Sequence, residues 1–206
     1  MTVNEDFAVL AGRLRGELLD SAVSYALAGA TPGTAQVLRR PTPCQGWDLA
    51  TLLDHVSDSV EVLHQAITGG CASAAPPGYP GPGPGPGSGP GLDPVARLRV
   101  QAVRLLLAFA AAGPAERPVD IWDRQLTAGM VAVTGALEIA VHGWDISVAC
   151  GACRPVPPGL AAVLLPIAPL LITPGTRPGL FADPVRLPGP ASPGDQLVAF
   201  LGRQPH

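Results

Sequence analysis

Ala136-Leu137-Glu138-Ile139-Ala140-Val141-His142-Gly143-Trp144-Asp145 is the stretch on which the reading of the whole chain turns. It lies inside an apolar run from Thr127 to Ala149, which predicts a mostly buried helix closing near Gly151. Glu138 and His142 are four residues apart, so they stack on a single face of that helix. A carboxylate over an imidazole is costly in apolar surroundings unless something pairs with both. A divalent metal ion is one such partner, and it needs a further ligand from elsewhere in the chain. Leu52-Leu53-Asp54-His55-Val56 supplies the best candidate. The expectation is a three-ligand metal site of His55, Glu138 and His142, set between two helices of a bundle.

Working outward, the remaining helices can be placed by spacing. Val3 to Ala30 predicts a first helix, with Phe7, Leu10, Leu14, Leu18, Ala22 or Val23, and Tyr25 facing inward, stopped by Thr31-Pro32-Gly33. Thr42 to Asp48 reads as a turn broken by Pro43 and Gly46, with Asp48 as the N-cap of a second helix running to about Ile67. On that helix Leu52, His55, Val56, Ser59, Val60 and Leu63 share the inward face. His64 falls on the opposite side, toward solvent. Asp93-Pro94 caps a third helix to about Ala112, with Leu98, Val103, Leu106 and Leu105 or Phe109 inward.

Between the second and third helices, residues 69–94 are Gly/Pro-rich and of low complexity. Such a segment buries too little apolar surface to offset its ordering entropy, so it reads as a mobile connector or, functionally, as a lid. Gly113 to Asp123 is a connection, extended near Val119 to Trp122. After the fourth helix, Pro157 to Ala168 reads as a helix interrupted by Pro166. Leu180-Phe181-Ala182 and Val185-Arg186-Leu187 are strand candidates, and a short helix ends the chain. The expected fold class is an all-α core, an up-down four-helix bundle over residues 1–152, with a small mixed C-terminal extension, 153–206, packed on it.

Composition narrows the function classes. The net charge of −3 argues against a nucleic-acid partner recruited by bulk electrostatics. Asn4, Glu5, Asp6 and Arg13 interrupt the opening where a secretion signal needs an apolar core, and no charge-free apolar run is long enough to span a bilayer. A cytoplasmic protein with a small-molecule substrate and no membrane partner is expected, and its apolar helices leave room for a homodimer. Cys150-Gly-Ala-Cys153 has the form of a redox pair, but it closes a helix, where the dipole disfavours a thiolate. The four cysteines are read as ordinary reduced residues.

Thr42-Pro43-Cys44-x-x-Trp47-Asp48 followed by Leu52-Leu53-x-His55-Val56 resembles the N-terminal signature of the DinB-like, mycothiol-dependent maleylpyruvate isomerase superfamily. Glu138-x-x-x-His142-Gly143-Trp144-Asp145 is similar to its second signature. Phe181 through Asp195 with Leu197-x-x-Phe200-Leu201-Gly202-Arg203-x-Pro205 resembles the ending of an actinobacterial subfamily. The resemblance implies a four-helix bundle that binds zinc, or another divalent metal, through His55, Glu138 and His142. It also implies mycothiol as a cosubstrate.

A His₂-carboxylate set leaves positions open, as catalytic metal sites do, whereas a structural zinc is closed by four protein ligands. The expected activity is of the S-transferase or isomerase type, with a metal-activated thiolate attacking an electrophilic substrate. Two alternatives stand beside it: a thiol-independent tailoring enzyme of specialised metabolism, and a non-catalytic metal- or ligand-binding protein. Asp145 is placed either to orient an imidazole or to bind an arginine at the helix end. Arg104 and Arg124 are candidates to hold an anionic substrate or cofactor, because arginine grips carboxylates through two donors. Trp47 and Trp144 are read as packing residues beside the two ligand helices.

Overall fold

The structure, a computed structural model, describes residues 18–30, 35–72, 93–121 and 124–205. The element order is α1 (18–29), α2 (Ala35–Leu38), α3 (Leu49–Gly69), β1 (Cys71–Ala72), α4 (Pro94–Ala111), β2 (Pro118–Ile121), β3 (Arg124–Thr127), α5 (Ala128–Ala149), α6 (Pro158–Leu171) and α7 (Pro193–Phe200). The core is all-α, with one small three-stranded sheet. Phe7, Leu10 and Leu14 of the first helix, its Thr31-Pro32-Gly33 stop and most of the Gly/Pro stretch lie outside the described residues. The ends of that stretch belong to regular elements: Gly69 closes α3, Cys71 and Ala72 form β1, and Pro94 opens α4.

α5 is the central helix. It is buried on nearly every side, from Ala128 through Ala149, which is why it carries apolar residues all round and not along one stripe. It is long and apolar enough to cross a membrane, yet 83% of its most apolar window is buried inside the bundle, as befits a core helix. Thr127 caps it by accepting from the Met130 N–H at 3.2 Å. Its approach to α1 depends on a missing side chain: a Cβ at Gly143 would stand 2.8 Å from the Cα of Ala26.

α3 and α4 pack on each other, and α3 also packs on α5. Asp48 caps α3 by accepting from the Thr51 N–H at 2.9 Å, as the sequence predicts. Asp93 does the same for α4 through the Ala96 N–H at 3.1 Å. The inward face of α4 differs from the expected one. Val95, Leu98, Ala102, Leu105 and Phe109 are buried, while Val103 is 55% exposed. The run Leu105-Leu106-Leu107 satisfies more than one helical phase, so spacing alone could not choose between them.

Extended structure appears near Val119 as expected, but as half of a hairpin: β2 pairs antiparallel with β3, Val119 opposite Leu126, and β1 adds alongside β2 in parallel. Two expectations for the C-terminal part are corrected. α6 runs through both Pro166 and Pro169, held by burial of Leu164, Ile167 and Ala168 on its inner side. The segments 180–182 and 185–187 form no strands. The Leu180 and Phe181 N–H groups bond back to the Arg177 carbonyl, and the Arg177 guanidinium holds the Ala182 carbonyl at 2.7 Å, so turns consume the groups a ladder would need. Behind α7, Gly202 takes φ +81° with the Ala182 carbonyl 2.7 Å from where a Cβ would stand. That close turn carries the chain to Arg203.

Candidate metal centre

Two helices and two irregular segments meet at the site. α3 brings His55, and α5 brings Glu138, His142 and Asp145. The turn before α3 brings Cys44 and Trp47. It is fixed by Thr42 N–H to the Trp47 carbonyl at 3.0 Å, Trp47 N–H to the Cys44 carbonyl at 3.0 Å, and Gly46 at φ +80°. The fourth contributor is Arg203, beyond α7.

His55, Glu138 and His142 come together as the sequence places them. His55 Nε2 lies 2.8 Å from Glu138 Oε1, and His142 Nε2 lies 3.3 Å from the same oxygen. One donor atom from each residue falls within 4.8 Å of the others. Tetrahedral zinc with ligands at 2.0–2.1 Å needs neighbouring donors about 3.4 Å apart. The donor types suit such an ion and the His142–Glu138 separation matches, while the His55–Glu138 contact is a hydrogen bond that would open to admit it. The Ser59 hydroxyl stands 3.5 Å from Glu138 Oε1. Trp47 walls the site, its ring centroid 4.8 Å from that of His55 and 6.4 Å from that of His142.

The other face of His142 is held firmly. Its Nδ1 lies 3.0 Å from Asp145 Oδ2, and since an ionised carboxylate can only accept, Nδ1 carries a proton. Nε2 faces the Glu138 carboxylate, and by the same rule it also carries a proton, one that a metal ion would have to displace. Asp145 is fully buried and takes two bonds from the Arg203 guanidinium, Nη2 to Oδ2 at 2.8 Å and Nε to Oδ1 at 3.2 Å. Both roles considered for Asp145 are therefore present at once. The Cys44 thiol donates to Asp145 Oδ2 at 3.2 Å and sits 3.8 Å from His142 Nδ1.

The electrostatics follow from this layout. Burial works to neutralise Glu138, but the charge and hydrogen bond of His142 and those of His55 outweigh it and hold the carboxyl well below its usual range. Burial likewise opposes charging His142, and Glu138, Asp145 and Cys44 together push its pKa well above the ordinary imidazole value. For Asp145 too, burial is outweighed, by the bonds from His142 and Arg203, and its pKa is lowered.

Of the other sequence candidates, Arg104 stands on α4 beside Glu61 at 3.6 Å and Arg124 is exposed at the start of β3. Neither is among the partners of the three converging residues. Trp144 is buried in the bundle, and His64 is half-buried outside the cluster. Arg203 and Cys44 join the site without any functional signal in the local sequence, although both stand inside the motifs that carry the resemblance.

Against known proteins, residues 19–147 match the model of the mycothiol maleylpyruvate isomerase N-terminal domain. Two proteins of Mycobacterium tuberculosis are similar: uncharacterized protein MT0763 of strain CDC 1551 / Oshkosh and uncharacterized protein Rv0738 of strain ATCC 25618 / H37Rv. Each is 30% identical over 171 residues, covering 82% of this chain and 86% of the relative. No solved structure matches the chain. The matched span contains α3 and α5 with His55, Glu138, His142 and Asp145, and on that span and those relatives the chain belongs to the mycothiol maleylpyruvate isomerase N-terminal domain family, within the DinB-like superfamily.

Proposed function

We propose that the protein is a metal-dependent enzyme acting on a small electrophilic molecule in the cytoplasm, with mycothiol as cosubstrate and chemistry of the S-transferase or isomerase type. The observation that carries this reading is the convergence of His55 Nε2, Glu138 Oε1 and His142 Nε2 from two helices. Zinc is the simplest occupant for that donor set, and when bound it lowers the pKa of a thiol or water near it. Membership of a family named for mycothiol supports the thiol.

The chain's own residues prepare the site. Asp145 fixes the His142 tautomer and ring orientation, and Arg203 keeps Asp145 ionised although it is buried. Glu138 brings the negative charge that offsets a divalent cation. Trp47 lies edge-to-face against His55 and roughly parallel to His142, so it walls one side of the site.

The test is metal content by elemental analysis on wild type and Glu138→Ala, both purified without added metal. About one zinc per chain in wild type, lost in the variant, is the expected result for a three-ligand site. A folded wild-type protein with no metal, or a variant that keeps it, would sink the reading. Turnover of an electrophile by the metal-loaded protein should require mycothiol. Turnover without the thiol would replace this proposal with metal or pocket catalysis alone.

A further inference from the structure

A cavity of about 170 Å³ opens directly beside Glu138, between α5 and the turns that follow α6. Leu137 and Val141 form its α5 wall, and Leu171, Ile172, Leu180 and Phe181 form the opposite one. Two threonines also reach it, but the Thr176 hydroxyl is already bonded to the Leu171 carbonyl at 3.2 Å. Glu138 is therefore the one charged group among the described lining residues, and it is negative. Among the described residues, Arg203 and Arg177 flank this region, and both are engaged elsewhere. Arg203 is bonded to Asp145 and stacked on Phe181, 5.7 Å from the ring centroid. Arg177 holds the Ala182 carbonyl and packs on Phe200.

Whatever charge an ion held by Glu138 supplies at that one edge, an anion carried on into the apolar part of this space would lose its hydration with no cationic side chain among the described lining residues to meet it. An apolar group loses nothing of the kind and gains contact with six aliphatic or aromatic side chains. Size sets the rest: a dry cavity of about 150 Å³ lined by Leu, Ile and Phe is large enough to take benzene.

We propose that this cavity receives the substrate, and that it selects a neutral apolar group the size of a single ring or a branched chain of about six carbons, in preference to a dicarboxylate. The selectivity comes from the C-terminal turns, chiefly Leu180 and Phe181, and not from the ligand helices. The inference rests on the proposed function in that Glu138 is taken as one edge of both the metal site and the pocket.

The experiment is a methyl-region NMR titration of the full chain with benzyl alcohol and, separately, maleate, with metal content measured on the same sample. Benzyl alcohol should shift the methyls of Leu137, Val141, Leu171, Ile172 and Leu180 and bind them at least about ten-fold more tightly than maleate. Leu180 is 57% exposed, so Leu180→Trp can fill the cavity from its rim without disturbing the core. That variant should lose the benzyl alcohol response by about ten-fold. Equal or tighter binding of maleate at these methyls overturns the inference, as does a benzyl alcohol response that Leu180→Trp leaves unchanged. Metal present with maleate preferred sinks the pocket assignment alone. Metal absent with benzyl alcohol bound in the cavity upholds it and sinks the metal reading alone.

Discussion

Each nitrogen of His142 has a different task. Nδ1 faces Asp145 at 3.0 Å and Nε2 faces Glu138 at 3.3 Å, so a single ring links the buried ion pair to the three-donor cluster. If Asp145 sets the tautomer, replacing its carboxylate by an amide should weaken metal binding without removing a ligand. Asp145→Asn is expected to lower zinc affinity by about 10–100-fold, measured by competition with a chelator on protein whose helical circular dichroism is unchanged. Unchanged affinity would show that ring orientation is set elsewhere. The contrast between Glu138 and Arg203 explains what the sequence could reveal. Glu138 and His142 are four apart, and helical spacing alone put them on one face. Arg203 is 58 residues from Asp145 and 159 from Cys44, and no local pattern links residues at that distance. Asp145 was read two ways because each way rested on a different neighbour, and the fold supplies both.

At the scale of elements, the helices were legible where burial is one-sided and caps are strong. Asp48 and Asp93 marked two N-termini correctly. α5 was found by length and apolarity, having no amphipathic stripe to show. β3 was missed because Arg124 to Thr127 acquires its conformation from pairing with β2, which no spacing within the segment encodes. Glycine 143 carries information of another kind. Its hydrogen faces the Ala26 backbone, so a methyl there must push α1 and α5 apart, not merely move a flexible side chain. Gly143→Ala is expected to destabilise the fold by about 1–3 kcal/mol despite alanine's better helix propensity. The control is Gly159→Ala in α6, where nothing lies within 4 Å of the added carbon. That change should be neutral or stabilising by up to about 1 kcal/mol. Urea midpoints for the pair separate close packing from propensity, and equal destabilisation by both would remove the crossing argument.

Across the whole molecule, the segment after α5 is tied to the bundle by polar as well as apolar contacts. Tyr25 on α1 donates to the Arg154 carbonyl at 2.7 Å, and α6 packs on α5. A second polar tie is Arg203 to Asp145, a pair in which the arginine is 8% exposed and the aspartate 0%. A buried pair contributes little net stability when both members are exchanged for groups of similar volume, but leaving one charge unpaired is expensive. Arg203→Met should therefore destabilise the protein by about 3–5 kcal/mol, and Asp145→Asn combined with Arg203→Met should recover a large part of that loss. A double-mutant cycle by urea denaturation measures the coupling, and additive effects would mean that Arg203 acts through packing on Phe181 and not through charge. The same variants decide whether the C-terminal segment is only a cover. If Arg203 supports the site through Asp145, Arg203→Met should weaken zinc binding in folded protein in the same direction as Asp145→Asn, although Arg203 touches none of the three donor residues. Lost stability with unaltered zinc affinity would confine Arg203 to holding the chain's last turn in place.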